Sequence, residues 1–278
     1  MPIGGKPANS MNIKTLAVRQ SYTCTFSIGT LVTDSSQYEA FLQSCVKMGF
    51  EGPECEFLKI DNTQDNVLDA FTGINRILSE SRGQYIILCH QDVELLGSRG
   101  ELEAQLQQLD KIAPDWALAG NAGGDERKLH IRISDPHGLE QKVGDCPAKV
   151  FSLDENFIVV KAASRIAASG DLIGFHLYGL DLCVVADVLG YSAWTIDYSV
   201  YHKSGGSVGA KQSSEKLDFY TSRERLLAKY SRAFRLRRVR TTCTHVTLPE
   251  ALAKTMFGRL TLAIEKAAYK LTANKNDK

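Results

Sequence analysis

Several features that sort a chain quickly into a class are missing from these 278 residues. No apolar run approaches the roughly 18 residues needed to cross a bilayer, so no spanning helix is expected. The first 20 residues carry Gly4, Gly5, Pro7, Asn9 and Ser10 without a continuous apolar stretch. They read as a loose terminus and not as a secretory signal. Neither G-x-G-x-x-G nor a P-loop occurs, so Rossmann dehydrogenases and P-loop kinases lose their signatures. The seven cysteines are odd in number and irregularly spaced, with no C-x-x-C pair. Cys24, Cys89 and Cys183 lie inside apolar runs, where a thiol behaves as a small hydrophobe. A reducing, cytoplasmic setting suits this usage better than a disulfide scaffold or a cysteine zinc site.

What is present is a chain with 44% apolar residues, enough for a full globular core. The net charge of +1 hides an asymmetry: residues 223–278 hold 14 Lys and Arg against 4 Asp and Glu. The remainder is correspondingly acidic. Residues 223–240 alone carry eight basic residues and a single acid, Glu224. Such a surplus fits an anionic partner such as phospholipid or pyrophosphate, or equally a solvated helix face docked on an acidic body. Aromatics interleave the basic segment only at Tyr230 and Phe234, so a nucleic-acid partner is not expected.

The first half alternates strand and helix. Residues 25–32 (TFSIGTLV) form a β-prone run ending in the turn or N-cap cluster Thr33-Asp34-Ser35-Ser36. Tyr38, Phe41, Leu42 and Cys45 then follow at helical spacing. A second strand, residues 55–60 (CEFLKI), stops at Asp61-Asn62 and precedes an amphipathic helix carrying Val67, Phe71, Ile74, Ile77 and Leu78. Gly83 is expected to close that helix. Residues 85–89 (YIILC) are apolar on both faces, as in a central parallel strand, and end at His90-Gln91-Asp92. A helix over 102–112 and a strand over 116–119 follow. The pattern predicts an α/β fold with a doubly wound, mostly parallel sheet, and ligands in such sheets sit beyond the carboxyl ends of the strands.

Residues 120–147 read as a long loop with a short strand at 129–133, a length that usually signals function or disorder. Residues 150–153 and 157–160 look like a hairpin, 180–189 a helix and 194–200 a strand with His202 directly after it. Helices are expected over 217–234 and 249–271, the latter started by Pro249. Three domains of organisation result: a loose terminus at 1–20, a body at 21–245, and a basic amphipathic helix at 246–278.

A carboxylate just beyond a buried strand suits a divalent cation that neutralises phosphate charge, and Asp92 is so placed; an ordinary turn aspartate is the other reading. At this point the sequence resembles the family-two-like glycosyltransferases. CHQDV (Cys89 to Val93) after YIIL is similar to their Asp-x-Asp segment, in the form a subgroup writes as His-Gln-Asp. GFHLYGLDLCVVADVLGYSAWTIDYSVYHKSGGS (from Gly174) resembles the second half of the same site, and SLDENFIVVKAAS (from Ser152) the segment before it. IDN (from Ile60) and GIN (from Gly73) sit where that family places its nucleotide-facing elements. The resemblance covers about residues 25–245 and rests on the order and spacing of the motifs.

The resemblance implies a GT-A fold, a nucleotide-diphosphate sugar donor and a divalent cation, Mn or Mg. It implies that Asp92 binds the metal with His90 and His202, and that Asp61 and Asn62 face the base and ribose, with Asn75 supporting them. Thr33 and Gln91, at neighbouring strand ends, would complete the donor pocket. An inverting transfer to a glycan or lipid-linked glycan needs a proton acceptor. The family's acidic position falls here on Gly179, which leaves Asp181 and His176 as the nearest candidates. The basic segment and last helix (residues 223–271) could rest on an anionic membrane at its inner face. Two other functions stay open. A sugar nucleotidyltransferase would want a Gly-rich basic loop after the first strand, which Thr33 to Gln37 does not supply. A non-catalytic nucleotide or glycan binder is consistent with Gly179.

Overall fold

The computed structural model describes residues 21–136, 140–203, 213–230, 237–240 and 245–248. The first half runs β1 (Cys24–Val32), α1 (Ser35–Lys47), β2 (Cys55–Asp61), α2 (Ala70–Glu80), β3 (Gly83–Cys89), β4 (Val93–Leu95), α3 (Arg99–Ile112) and β5 (Trp116–Gly120). Each helix here starts on a side-chain cap. Asp34 accepts from the Ser36 and Gln37 amides, Asp69 from those of Phe71 and Thr72, and Ser98 forms a capping box with Glu101. Such caps satisfy amides that the helix itself leaves without partners.

The second half continues with β6 (Ala122–Gly124), β7 (Leu129–Ser134), β8 (Glu140–Val143), β9 (Ala148–Val150), β10 (Ser152–Leu153) and β11 (Phe157–Lys161). Then come α4 (Tyr178–Val188), β12 (Ser192–Thr195), β13 (Val200–His202), α5 (Ser213–Tyr230), β14 (Arg237–Arg240) and β15 (His245–Leu248).

The main sheet has seven strands in the order β2-β1-β3-β11-β5-β12-β9. The pairings make five of them run one way, with β11 and β9 reversed. This is the expected mixed α/β sheet, mostly parallel and flanked by helices. Its centre explains the doubly apolar strands. Ile86 and Leu88 of β3, with Ile158 and Val160 of β11, face one core with α2 and α4. Tyr85, Ile87 and Cys89, with Phe157 and Val159, face a second core with α1 and α3. Alternation along the strands thus feeds both layers. α4 is apolar almost all round and correspondingly enclosed.

Four expectations are corrected. Residues 120–147 are not a long loop: β6 and β7 pair antiparallel, and β8 adds to β7 in a second sheet ordered β10-β6-β7-β13-β4. The strands near 150–160 do not form a hairpin. β9 edges the main sheet, β10 joins β6, and β11 inserts antiparallel between β3 and β5. The run 194–200 breaks into β12 and β13, which belong to different sheets, and His202 ends β13 instead of following it. Gly83 does not close α2, whose C-cap is Ser81; it opens β3. The reason for a glycine there is close approach, because a Cβ would lie 2.5 Å from the Ser27 nitrogen and 2.7 Å from the Phe26 carbonyl carbon. The expected helix at 249–271 and the first 20 residues lie outside the described residues.

Gly83→Ala should therefore cost about 1–3 kcal/mol in urea unfolding, since backbone and not a flexible tip must yield. Gly100→Ala, in open space within α3, should be neutral or slightly stabilising. Equal stability of the two variants would show that the β1–β3 contact imposes no such demand.

Candidate functional site

The carboxyl ends of β1, β2 and β3 bring together Thr33, Asp61, Asn62, His90, Gln91 and Asp92, as the sequence pattern anticipates. The second sheet adds the remaining member. β13 pairs antiparallel with β4, setting His202 opposite Val93, and the Lys203 amide donates to the Asp92 carbonyl at 3.0 Å. His202 Nε2 then lies 3.3 Å from Asp92 Oδ2, and His90 Nδ1 lies 3.9 Å from Asp92 Oδ1. One ligand atom from each of the three residues falls within 4.8 Å of the others. Two imidazoles and a carboxylate make a borderline donor set, which suits manganese better than magnesium.

The His90 tautomer follows from its neighbour. The Tyr178 hydroxyl lies 3.0 Å from the Glu155 backbone carbonyl and 3.0 Å from His90 Nε2. Burial pushes the Tyr178 phenol well above its ordinary value, so it keeps its proton. With the Tyr178 proton given to the Glu155 carbonyl, which can only accept, the tautomer of His90 that carries its proton on Nε2 donates to Tyr178. In the neutral ring this leaves a lone pair on Nδ1, the nitrogen turned toward Asp92. Orientation of a ligating histidine by a partner on its other nitrogen is a recurring device at metal centres.

The other residues singled out from sequence divide by what their polar atoms already hold. Gln91 Oε1 accepts from the Thr33 and Asp34 amides at 2.8 and 2.9 Å, and its Nε2 donates to Thr33 Oγ1 at 2.8 Å. Gln91 and Thr33 therefore staple the ends of β3 and β1 to each other. Asn62 brackets the turn before α2, donating to the Leu68 carbonyl at 2.8 Å and accepting from its amide at 3.3 Å. Asn75 does the same across the fold, exchanging two 2.8 Å bonds with the Ala168 backbone. Gln91, Asn62 and Asn75 thus each bond the scaffold through their side-chain amides. Asp61 stays about half-exposed, with the Lys59 ammonium and then Thr63 holding its carboxyl well below the usual carboxylate range.

The two expected proton acceptors, Asp181 and His176, each have partners in the fold. Asp181 is fully enclosed, and its carboxylate accepts from the Ser169 amide and hydroxyl, both at 2.7 Å, and from the Tyr230 hydroxyl. It ties α4 to the preceding segment and to α5. His176 faces α5, with Nε2 3.8 Å from Asp218 and its ring against Phe219. Sequence reasoning missed Glu155. Its carboxylate accepts from the Gly179 amide at 3.2 Å, at the start of a helix whose N-cap, Leu177, is left-handed and supplies no side-chain cap. Burial pushes this carboxyl up to about 8, against the pull of the Gly179 N–H, with the Asp154 charge adding to the rise. The only sequence signal was its place in the Asp154-Glu155-Asn156 turn.

No family model matches the chain. A curated relative does: the ATP synthase subunits region ORF 6 protein of Fuscovulum blasticum is 35% identical over 221 residues, covering 76% of this chain and 86% of its own. The chain belongs to that protein's family. Among solved structures, S. aureus TarS superposes with a TM-score of 0.50 at 15% identity, over 75% of this chain and 40% of TarS. S. aureus TarS 1-349 gives 0.47 at 13% identity over 74% of this chain, which spans 65% of that structure's length, under two thirds. The mannosyltransferase of Pyrobaculum calidifontis in complex with GDP-Man and Mn2+ gives 0.49 at 12% identity, over 82% and 69% of the two chains. The likeness to TarS is one of fold, and the fold is GT-A.

Asp181→Ala in this member of the ORF 6 family should cost about 3 kcal/mol or more. It strands the Ser169 donors and the Tyr230 hydroxyl in a closed space. Urea denaturation measures it, and a variant as stable as the parent would remove Asp181 from the scaffold and return it to the list of reactive groups.

Proposed function

We propose that this chain is a metal-assisted glycosyltransferase, moving a sugar from a nucleotide-diphosphate donor to a hydroxyl of a glycan or lipid-linked glycan. The observation that carries the reading is the grouping of His90 Nδ1, Asp92 and His202 Nε2 at the carboxyl edge of the sheet. A cation bound there would neutralise the charge that develops on the departing diphosphate. His90, Asp92 and His202 would hold it, with Tyr178 keeping the His90 lone pair aimed inward. Asp61, exposed at the end of β2, is the polar group available to a ribose.

Two other readings fare less well. A nucleotidyltransferase needs a phosphate cradle after the first strand, but the Thr33 and Asp34 amides already bond Gln91. A non-catalytic binder draws support from Gly179 and from the enclosure of Asp181. The donor grouping and the raised Glu155 carboxyl weigh against it. For the lipid-linked acceptor, no helix among the described residues is long and apolar enough to cross a membrane. The basic surplus of residues 223–278 is assigned to peripheral contact with anionic lipid. Deleting residues 249–278 should weaken binding to phosphatidylserine vesicles, and unchanged binding would remove the membrane from the proposal.

Thermal shift with UDP, GDP and dTDP sugars, each with and without Mn2+, tests the activity class. A donor at 100 times its dissociation constant adds about 2.7 kcal/mol of stability. The shift should depend on Mn2+ and vanish in Asp92→Ala, whose own melting temperature stays near that of the parent. Tyr178→Phe should weaken Mn2+ binding about tenfold or more, as loss of an orienting partner does. Well-folded protein that no donor stabilises, with or without Mn2+, would leave only the non-catalytic reading.

A further inference from the structure

Resting on the glycosyltransferase reading, we propose that Glu155 takes the proton from the acceptor hydroxyl during sugar transfer. The hydroxyl oxygen bonds to the anomeric carbon, and the bond from that carbon to the diphosphate breaks. Its electron pair leaves on the nucleoside diphosphate, and the hydroxyl proton moves to the Glu155 carboxylate.

The placement comes from the start of α4. Position 179 cannot carry an acid in this backbone: a Cβ there would lie 2.5 Å from the Leu153 carbonyl oxygen and 3.2 Å from both Glu155 Cγ and Ile158 Cδ1. The room beside it is filled by Glu155, whose carboxylate bonds the Gly179 amide. Glu155 is fixed to the metal-type grouping through its own backbone, since its carbonyl holds Tyr178 and Tyr178 holds His90. The next residue repeats the link, because the Asn156 carbonyl accepts from the His90 amide at 3.1 Å. The Glu155 backbone therefore lies two hydrogen bonds from the His90 ring, and its carboxylate is held at the start of α4.

The other carboxyls nearby are accounted for. Asp181 is enclosed and triply bonded, and Asp154 Oδ1 holds the Asn156 amide and side chain at 3.1 and 2.7 Å. Asp92 lies between the two imidazoles. Among the described residues, Asp154, Tyr178, Cys89, His90 and Asp92 are the ionisable groups that face Glu155 and Tyr178. Burial raises this carboxyl to about 8, so it is ionised above that pH, and that ionised form takes an alcohol proton more readily than an exposed carboxylate does.

The test follows nucleoside diphosphate release from UDP, GDP and dTDP sugars with Mn2+, using water or added saccharide as acceptor. Parent, Glu155→Gln and Glu155→Ala proteins are compared, with formate added to each. The proposal expects kcat to fall about 100-fold or more in both variants, with donor KM and the donor-dependent thermal shift kept. Formate should restore turnover at least about tenfold in Glu155→Ala and leave the parent unchanged, because the small acid replaces the missing carboxylate in the space vacated. If the parent releases nucleotide and both variants match it, Glu155 is not the proton acceptor and the transferase reading stands. Loss that formate does not repair, accompanied by a lowered melting temperature, makes Glu155 a helix cap and overturns the proposal. If the parent turns over no donor, the transferase reading falls and the role of Glu155 falls with it.

Discussion

The insertion of β11 between β3 and β5 is the constraint on which the rest of the molecule hangs. Its register sets Phe157 opposite Cys89, so the turn before it arrives beside the residue that follows β3. The Asn156 carbonyl then takes the His90 amide, and Glu155 meets the first turn of α4. The same strand feeds both cores, with Phe157 and Val159 on one face and Ile158 and Val160 on the other. Scaffold and site are therefore ordered by one ladder of backbone hydrogen bonds.

The site itself is built by holding most of its polar residues still. Gln91, Thr33, Asn62 and Asn75 bond one another or the backbone, which fixes loops that would otherwise be costly to order. Against that fixed frame, His90, Asp92 and His202 meet across two different sheets. Their distances are set by the β4–β13 pairing, which needs no flexible loop to close. Rigid support of this kind is what reactive geometry demands.

α4 shows how a buried helix can be started without a cap of its own. Leu177 adopts a left-handed conformation, with φ of 68°, and offers no capping oxygen. Glu155 supplies the missing acceptor from a distant turn, and its desolvation raises the carboxyl. A structural need and a chemical opportunity thus coincide on one side chain, and the experiment on Glu155 separates them.

Local pattern determined much of this protein. Apolar periodicity and the cap cluster around Asp34 place the first five major elements within a few residues, because those signals act over one turn of helix or one strand. The strand-end positions of His90 and Asp92 were legible for the same reason, and His202 was legible through its motif. The destinations of β9, β10 and β11 were not, since a short apolar strand does not encode its neighbour. Nor was the burial of Asp181, which depends on Ser169 and Tyr230 arriving from elsewhere, nor the place of Glu155. Sequence decided which segments become strands and helices and which polar groups end them. Tertiary structure alone decided which of those groups face one another, because pairing and enclosure are properties of contacts between residues far apart in the chain.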